Sequence, residues 1–286
     1  MRAKYPWSVH HAMGIECGCG EDFAMNESVD RAKQAATLIA RCWRDGDKCA
    51  DLPCAVRPRS LAEGYQVQAQ LPAVMGDTVV GYKLAATAEA GQRHIGVDAP
   101  VIGQLLATRI ADDGATLAMQ GNRMLVAECE IVFKLAHDLP PRDTPYSRDE
   151  VMAAVASLHP ALEIPDSRFE DFANAGAAQL AADNACTHWL VVGSATNAQW
   201  READLAEHAT SLHINGTVVS RGRGADVLGD PRTALTWLAN QFAILGDGLR
   251  AGQMVTTGCT GQPTAIVSGD QIIADLGEFG RVSARI

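Results

Sequence analysis

Two glutamates interrupt an otherwise apolar run, Leu125-Val-Ala-Glu128-Cys129-Glu130-Ile-Val-Phe-Lys-Leu135, and this feature restricts the fold and chemistry of the chain most tightly. Its apolar, β-branched surroundings are the signature of a buried or half-buried strand. Side chains alternate across a strand, so Glu128 and Glu130 share one face and Cys129 takes the other. Two carboxylates on one face of a core strand repel each other and lose hydration unless a cation or a proton compensates them. A divalent metal ion is the simplest compensation.

Charge and hydropathy narrow the partners. Lys and Arg number 24 against 34 Asp and Glu, a net charge of −10, with no basic cluster longer than a few residues. That balance argues against a nucleic acid or an anionic membrane as partner. No apolar stretch approaches the ~18–20 residues that span a bilayer. The first 25 residues have no continuous apolar segment and carry Glu16, Glu21 and Asp22, which argues against a signal peptide. Eight cysteines are scattered through a chain far larger than a disulfide-stapled domain, so a reducing, cytoplasmic setting is expected. Cys17-Gly-Cys19 lacks the second ligand pair of a structural zinc site and is read as part of a flexible leader.

At 286 residues the chain can bury one large core, or one core with a smaller accessory region. The expected organisation is a leader over 1–27, a helical N-terminal region over 28–76 and a β-rich catalytic body over 77–286. Apolar spacing predicts a helix from Ser28 to Arg44, and the capping box Ser60-Leu-Ala-Glu63 opens a second that should end by Pro72. A further capping box, Ser147-Arg-Asp-Glu150, predicts a helix reaching Leu158-His159-Pro160. Strands are expected at 78–86, 101–110, 125–135, 161–164 and 187–192, with several short ones after residue 254. Asn215-Gly216 marks a tight hairpin, and Asp230-Pro231 opens a helix through Leu245. The fold class is α+β.

A hard cation such as Mg²⁺ or Mn²⁺ takes oxygen ligands and leaves some positions to water or substrate. Glu128 and Glu130 supply two ligands, and Glu163 on the neighbouring apolar strand is the expected third. Leu162 and Ile164 face the core, so Glu163 faces the other way. Asp166, just past Pro165, is the fallback.

Several segments, taken in order, resemble the fumarylacetoacetate hydrolase superfamily, in its 2-keto-4-pentenoate hydratase and 4-oxalocrotonate decarboxylase branch. They are Gly81-Tyr-Lys83 through Thr87, Gln92 with Gly96-Val-Asp-Ala-Pro100, and Ala127-Glu-Cys-Glu130. Ala161-Leu-Glu-Ile-Pro-Asp-Ser-Arg168, Ala182-Asp183-Asn184-Ala185, Val227-Leu-Gly-Asp-Pro231, Trp237-Leu-Ala-Asn240 and Gly252 through Gly258 follow. The chain departs from the pattern at Ala85-Ala86, Gly91, Cys186-Thr-His-Trp189 and Cys259.

The resemblance implies a fumarylacetoacetate-hydrolase-like body, a mixed β-sandwich roll, that self-associates and takes a small 2-keto or 2-hydroxydienoic acid. It implies Glu128, Glu130 and Glu163 as ligands of Mg²⁺ or Mn²⁺, and a hydratase that adds water to the conjugated alkene. Lys83 is the first candidate for proton transfer, or pairs electrostatically with the carboxylates or substrate. Asp166 could move protons or pair with Arg168, and Gln92 could orient water. Thr87, Thr257, Gly258 and Thr260 are expected at the substrate, with Asp183 and Asn184 supporting the site or capping a helix. His159 and His188 are weaker candidates for proton shuttles. No histidine has Glu three residues later, which weakens a hydrolytic reading; a decarboxylase on the same metal, or a non-catalytic binding protein, are the alternatives.

Overall fold

The structure, a computed structural model, describes residues 21–245 and 247–286, without the side chains of 21–27, 244 and 245. Up to residue 20 the expected leader, with Cys17-Gly-Cys19, lies outside the described residues. The first helix, α1 (Glu21–Asp45), starts before the expected Ser28. Ala24 and Met25, ahead of Ser28, are strong helix formers. Further on, α1 buries Ala32, Ala35, Ala36, Ile39 and Ala40 against α2 (Leu61–Met75) and α5 (Ala177–Ala182), with Leu52, Val56 and Phe169 filling the seam. Gly64 permits the α2–α5 contact, because a Cβ there would lie 2.3 Å from Ala178 O. The α2 helix runs past Pro72 to Met75, contrary to expectation. Proline removes one helical hydrogen bond, and the end is instead set by Gly76 in the left-handed conformation, with Asp77 N–H closing onto Pro72 O at 2.9 Å.

The body carries β1 (Val79–Ala85), α3 (Glu89–Ile95), β2 (Val101–Leu106), β3 (Ile110–Asp112), β4 (Ala115–Thr116), β5 (Val126–Leu135), α4 (Arg148–Ala153) and β6 (Val155–Ile164). After α5 come β7 (Trp189–Val192), β8 (Ala209–Ile214), β9 (Thr217–Arg223), α6 (Pro231–Leu245), β10 (Met254–Cys259), β11 (Thr264–Ala265), β12 (Gln271–Asp275) and β13 (Arg281–Arg285). One sheet has the order β2-β1-β10-β5-β6-β7-β3, with β11 added to β5; the other is β4-β13-β12-β8-β9. The two outermost strands of the first order, β2 and β3, are joined only by Ala107–Arg109. Seven flat strands would separate those edges by roughly 29 Å, whereas the link from Leu106 to Ile110 reaches at most about 14 Å. The sheet therefore curls until its edges approach.

Val80, Leu105, Ile110, Val132, Ala161, Leu190, Val192 and Met254, drawn from all seven strands, form one cluster, which must lie on the inside of the curl. The opposite face supplies Cys129, Ile131, Phe133, Leu162 and Val255 to the main core, shared with Leu212, Ile272, Ala274 and Val282 of the second sheet and Leu235, Leu238 and Phe242 of α6. The hairpin is as expected, with Asn215 and Gly216 at φ 50° and 81°.

The expected helix to Pro160 stops at Ala153, and residues 155–164 form β6 instead. Leu158, Pro160, Leu162 and Ile164 alternate with Ser157, His159, Ala161 and Glu163, a period-2 pattern that outweighs the capping box. Pro160 is tolerated in a central strand because its carbonyl, which accepts from Gly193 N at 2.8 Å, points past the end of β7. The missing N–H points the same way, so the β5–β6 ladder loses nothing.

Candidate metal centre

Register places Glu128 directly opposite Glu163, and Glu130 opposite Ala161. Val132 and Ala161 line the inside of the curl, so all three glutamates project there too, at one end of it. One oxygen from each lies within 4.8 Å of the others. Glu130 and Glu163 are 0% and 1% exposed, and Glu128 is half-buried.

Two elements serve this trio. On β10, the Thr256 hydroxyl and the Gly258 N–H (3.1 Å) both donate to Glu130 Oε2. On β1, Lys83 Nζ lies 2.9 Å from Glu163 Oε1 and donates to Ala185 O at 3.0 Å. That carbonyl is aimed by a turn in which Asn184, Ala185 and Cys186 all adopt left-handed φ of 56°, 50° and 60°. The Asn184 amide fastens the turn to the Gln104 backbone, accepting at 2.6 Å and donating at 2.8 Å. Gly103 is required beneath it, since a Cβ would meet Thr187 Oγ1 at 2.5 Å and Lys83 Cγ at 2.8 Å.

Electrostatically the trio is short of positive charge. Burial first, then the charge of Glu163, pushes Glu128 up to about 7, with Lys83 working against them. Burial, Glu163 and Glu128 together raise Glu130 well above the carboxylate range. Burial alone would lower Lys83, but Glu163, Glu128 and Glu130 outweigh it, so it is held as an ammonium. Among the described residues, Glu130 Oε1 and Glu163 Oε2 have no hydrogen-bond partner, and Glu163 Oε1 meets only Lys83. Three carboxylates against one ammonium leave a formal charge of −2. Unpartnered buried carboxylate oxygens with that deficit fit a hard divalent cation.

Other expected residues divide sharply. Thr87 packs over the site at Gly258, where a Cβ would lie 2.1 Å from its hydroxyl and where φ is 112°. The Thr257 hydroxyl donates to Ile131 O at 3.0 Å, and that of Thr260 to Cys129 O at 2.9 Å, so both serve strand backbone. Gln92 donates to Ala86 O at 3.1 Å and fastens the loop after β1. Asp183 caps no helix with its side chain; it accepts from Ser167 Oγ at 2.6 Å and from the Arg168 backbone and guanidinium. Asp166 pairs with Lys48, not with Arg168, because Asp183 occupies that guanidinium. Burial, then Arg109, depresses His188 to about 3. The two ring nitrogens of His159 are taken by Gly193 O and Ser157 Oγ, each at 2.8 Å. Cys186 is pushed up to about 12 by burial, then by Asp183. Burial, then Glu128 and Glu130, raises the Cys259 thiol well above its usual range.

Residues 77–286 match the fumarylacetoacetate (FAA) hydrolase C-terminal family. The chain belongs to that family. Among curated relatives, a 2-keto-4-pentenoate hydratase of Burkholderia vietnamiensis (strain G4) is 34% identical over 219 residues, 77% of this chain and 82% of that protein. A 2-keto-4-pentenoate hydratase 1 of Dechloromonas aromatica (strain RCB) is 31% identical over 262 residues, 91% and 98% of the two chains. The solved 4-oxalocrotonate decarboxylase from Pseudomonas putida G7, complexed with magnesium and adipate, superposes with a TM-score of 0.81 at 27% identity, covering 90% of this chain and 97% of that one.

Sequence reasoning missed Thr256, the Ala185 carbonyl, Lys48 and Asn122. Strand parity could have found Thr256, because it shares a face with Met254 while Thr257 takes the other. No local pattern announces the other three.

Proposed function

We propose that this chain is a divalent-metal-dependent hydratase that adds water to a small 2-hydroxydienoate or 2-keto-enoate. The product is a 4-hydroxy-2-keto acid, in the breakdown of aromatic compounds. The observation that carries this reading is the Glu128, Glu130 and Glu163 trio, whose two buried members, Glu130 and Glu163, keep unpartnered oxygens beside Lys83. Relatives named 2-keto-4-pentenoate hydratase support the substrate class.

Glu128, Glu130 and Glu163 would hold Mg²⁺ or Mn²⁺. When bound, such an ion supplies Lewis acidity toward the carboxylate and C2 oxygen of a 2-keto acid. Thr256 and Gly258 N–H hold Glu130 in place. Lys83, fixed between Glu163 and Ala185 O, presents a positive charge to the substrate and is the proposed proton carrier beside it. Thr87 and Gly258 are proposed substrate contacts. Asp166, Gln92, Thr257, Thr260, Asp183 and Asn184 act through the backbone and ion pairs that frame the site. On the same family grounds we take the body, 77–286, as a mixed β-sandwich roll and the enzyme as a cytoplasmic homo-oligomer.

The test is to incubate purified protein with Mg²⁺ and freshly generated 2-hydroxypenta-2,4-dienoate. Loss of dienol absorbance with a 4-hydroxy-2-keto product is expected. Carbon dioxide release from 4-oxalocrotonate without hydration would instead assign the decarboxylase activity named for the structural relative.

A further inference from the structure

We propose that Lys48, which lies in the N-terminal helical region and outside the family-matched body, is a positioning residue for the carboxylate trio. The inference rests on the metal reading of that trio.

Lys48 follows α1 on a segment sewn beside the exit of β6: Cys49 N–H donates to Arg168 O at 2.9 Å, and Glu170 N–H to Cys49 O at 3.0 Å. Its ammonium donates to Asp166 Oδ2 and to Ser167 O, and the side chains of Lys48 and Asp166 are only 3% and 5% exposed. Among the described residues Asp166 has no other ion-pair partner. The other Asp166 oxygen accepts from the backbone N–H groups of Arg123 (3.0 Å) and Met124 (3.4 Å), on the lead-in to β5. Asn122 makes a second stitch across the same junction, donating to Pro165 O at 3.0 Å and accepting from Leu125 N at 2.9 Å.

This buckle sits where the glutamates need it. The β5–β6 register begins at the Glu128–Glu163 pair, so two mutually repelling carboxylates occupy the terminal rung of that ladder. Ladder ends fray, and like charges directly opposite weaken pairing. Lys48 pairs with Asp166, Asp166 holds the strand lead-in against the strand exit, and the separation of Glu128 and Glu163 is thereby set before metal arrives. Removing Lys48 leaves a buried, unpaired carboxylate three residues from Glu163.

The test is Mn²⁺ titration of metal-free protein, with free Mn²⁺ read by electron paramagnetic resonance and urea unfolding recorded alongside. Wild type should bind tightly. Lys48→Met should bind about 10–100-fold more weakly, the scale for outer partners of metal ligands, and Lys48→Arg should recover most of that loss. Should Lys48→Met fail to fold, the double variant Lys48→Met with Asp166→Asn removes the stranded charge, and the same weakening is expected of it. A folded Lys48→Met or double variant that binds Mn²⁺ like wild type would overturn the proposal. Absence of Mn²⁺ binding by wild type would overturn the metal reading itself, and this inference with it.

Discussion

Two clusters of buried charge lie a few residues apart and are built on opposite principles. Around Arg168, every charge has its partner: Asp183 accepts from the guanidinium, the Arg168 N–H and Ser167, and the guanidinium also donates to Thr187 O at 2.8 Å. Around Glu130, three carboxylates share one ammonium, and two of the three keep unpartnered oxygens. Both clusters are buried, so burial alone does not distinguish a structural pair from a reactive site. What distinguishes them is completion. A closed network holds the fold, whereas an open one with a charge deficit waits for a ligand.

Breaking the closed cluster should have the largest effect on stability. Asp183→Ala strands the Arg168 guanidinium and should cost about 3–5 kcal/mol, measured by urea unfolding of the metal-free protein. The open cluster should respond in the reverse sense. Glu130→Gln should lower kcat/KM by about 10²–10³-fold, the scale for losing one preorganised electrostatic group, without destabilising the metal-free protein. A Glu130→Gln variant that keeps full turnover, or unfolds like Asp183→Ala, would erase the distinction between the clusters.

A smaller effect follows from the titration of the open cluster. Glu128 moves from 4.5 to about 7 in the folded protein, and Glu130 moves in the same direction. A raised folded-state value stabilises below the unfolded value and is lost as pH rises through the folded one. Melting temperature in chelator should therefore fall between about pH 4.5 and 7 from this contribution, and Mg²⁺ or Mn²⁺ should recover it at pH 7 and above. An identical pH profile with and without metal would contradict this. Smallest of all, Thr257→Val should lose about 1 kcal/mol of stability with metal affinity unchanged, because its hydroxyl serves Ile131 O. Thr256→Val, one residue away but on the Glu130 side, should weaken metal binding.

The open cluster was the more legible of the two in the sequence. Glu-x-Glu on an apolar strand fixes the side of both carboxylates, and the parity of Leu162 and Ile164 puts Glu163 on the side that meets them. The Asn215-Gly216 hairpin and the Pro231 helix start were readable for the same reason, since each rests on local backbone chemistry. Pairings across long sequence separation were not. Arg168 has two acids within reach in sequence, Asp166 and Asp183, and only the fold decides that Lys48 takes the first. Pro160 misled because proline breaks helices and central strands alike on local grounds, yet here its missing N–H points beyond the end of β7. Pro72 misled in the opposite way, as one lost hydrogen bond near a helix end is smaller than what Gly76 and packing recover.

The central claim is that Glu128, Glu130 and Glu163 hold one divalent ion. Calorimetric titration of Mn²⁺ into metal-free protein tests it most directly. One ion per chain is expected, with binding abolished or weakened at least about 100-fold in Glu130→Gln and in Glu163→Gln. Unchanged binding in either variant, or no binding by the wild-type chain, would contradict it.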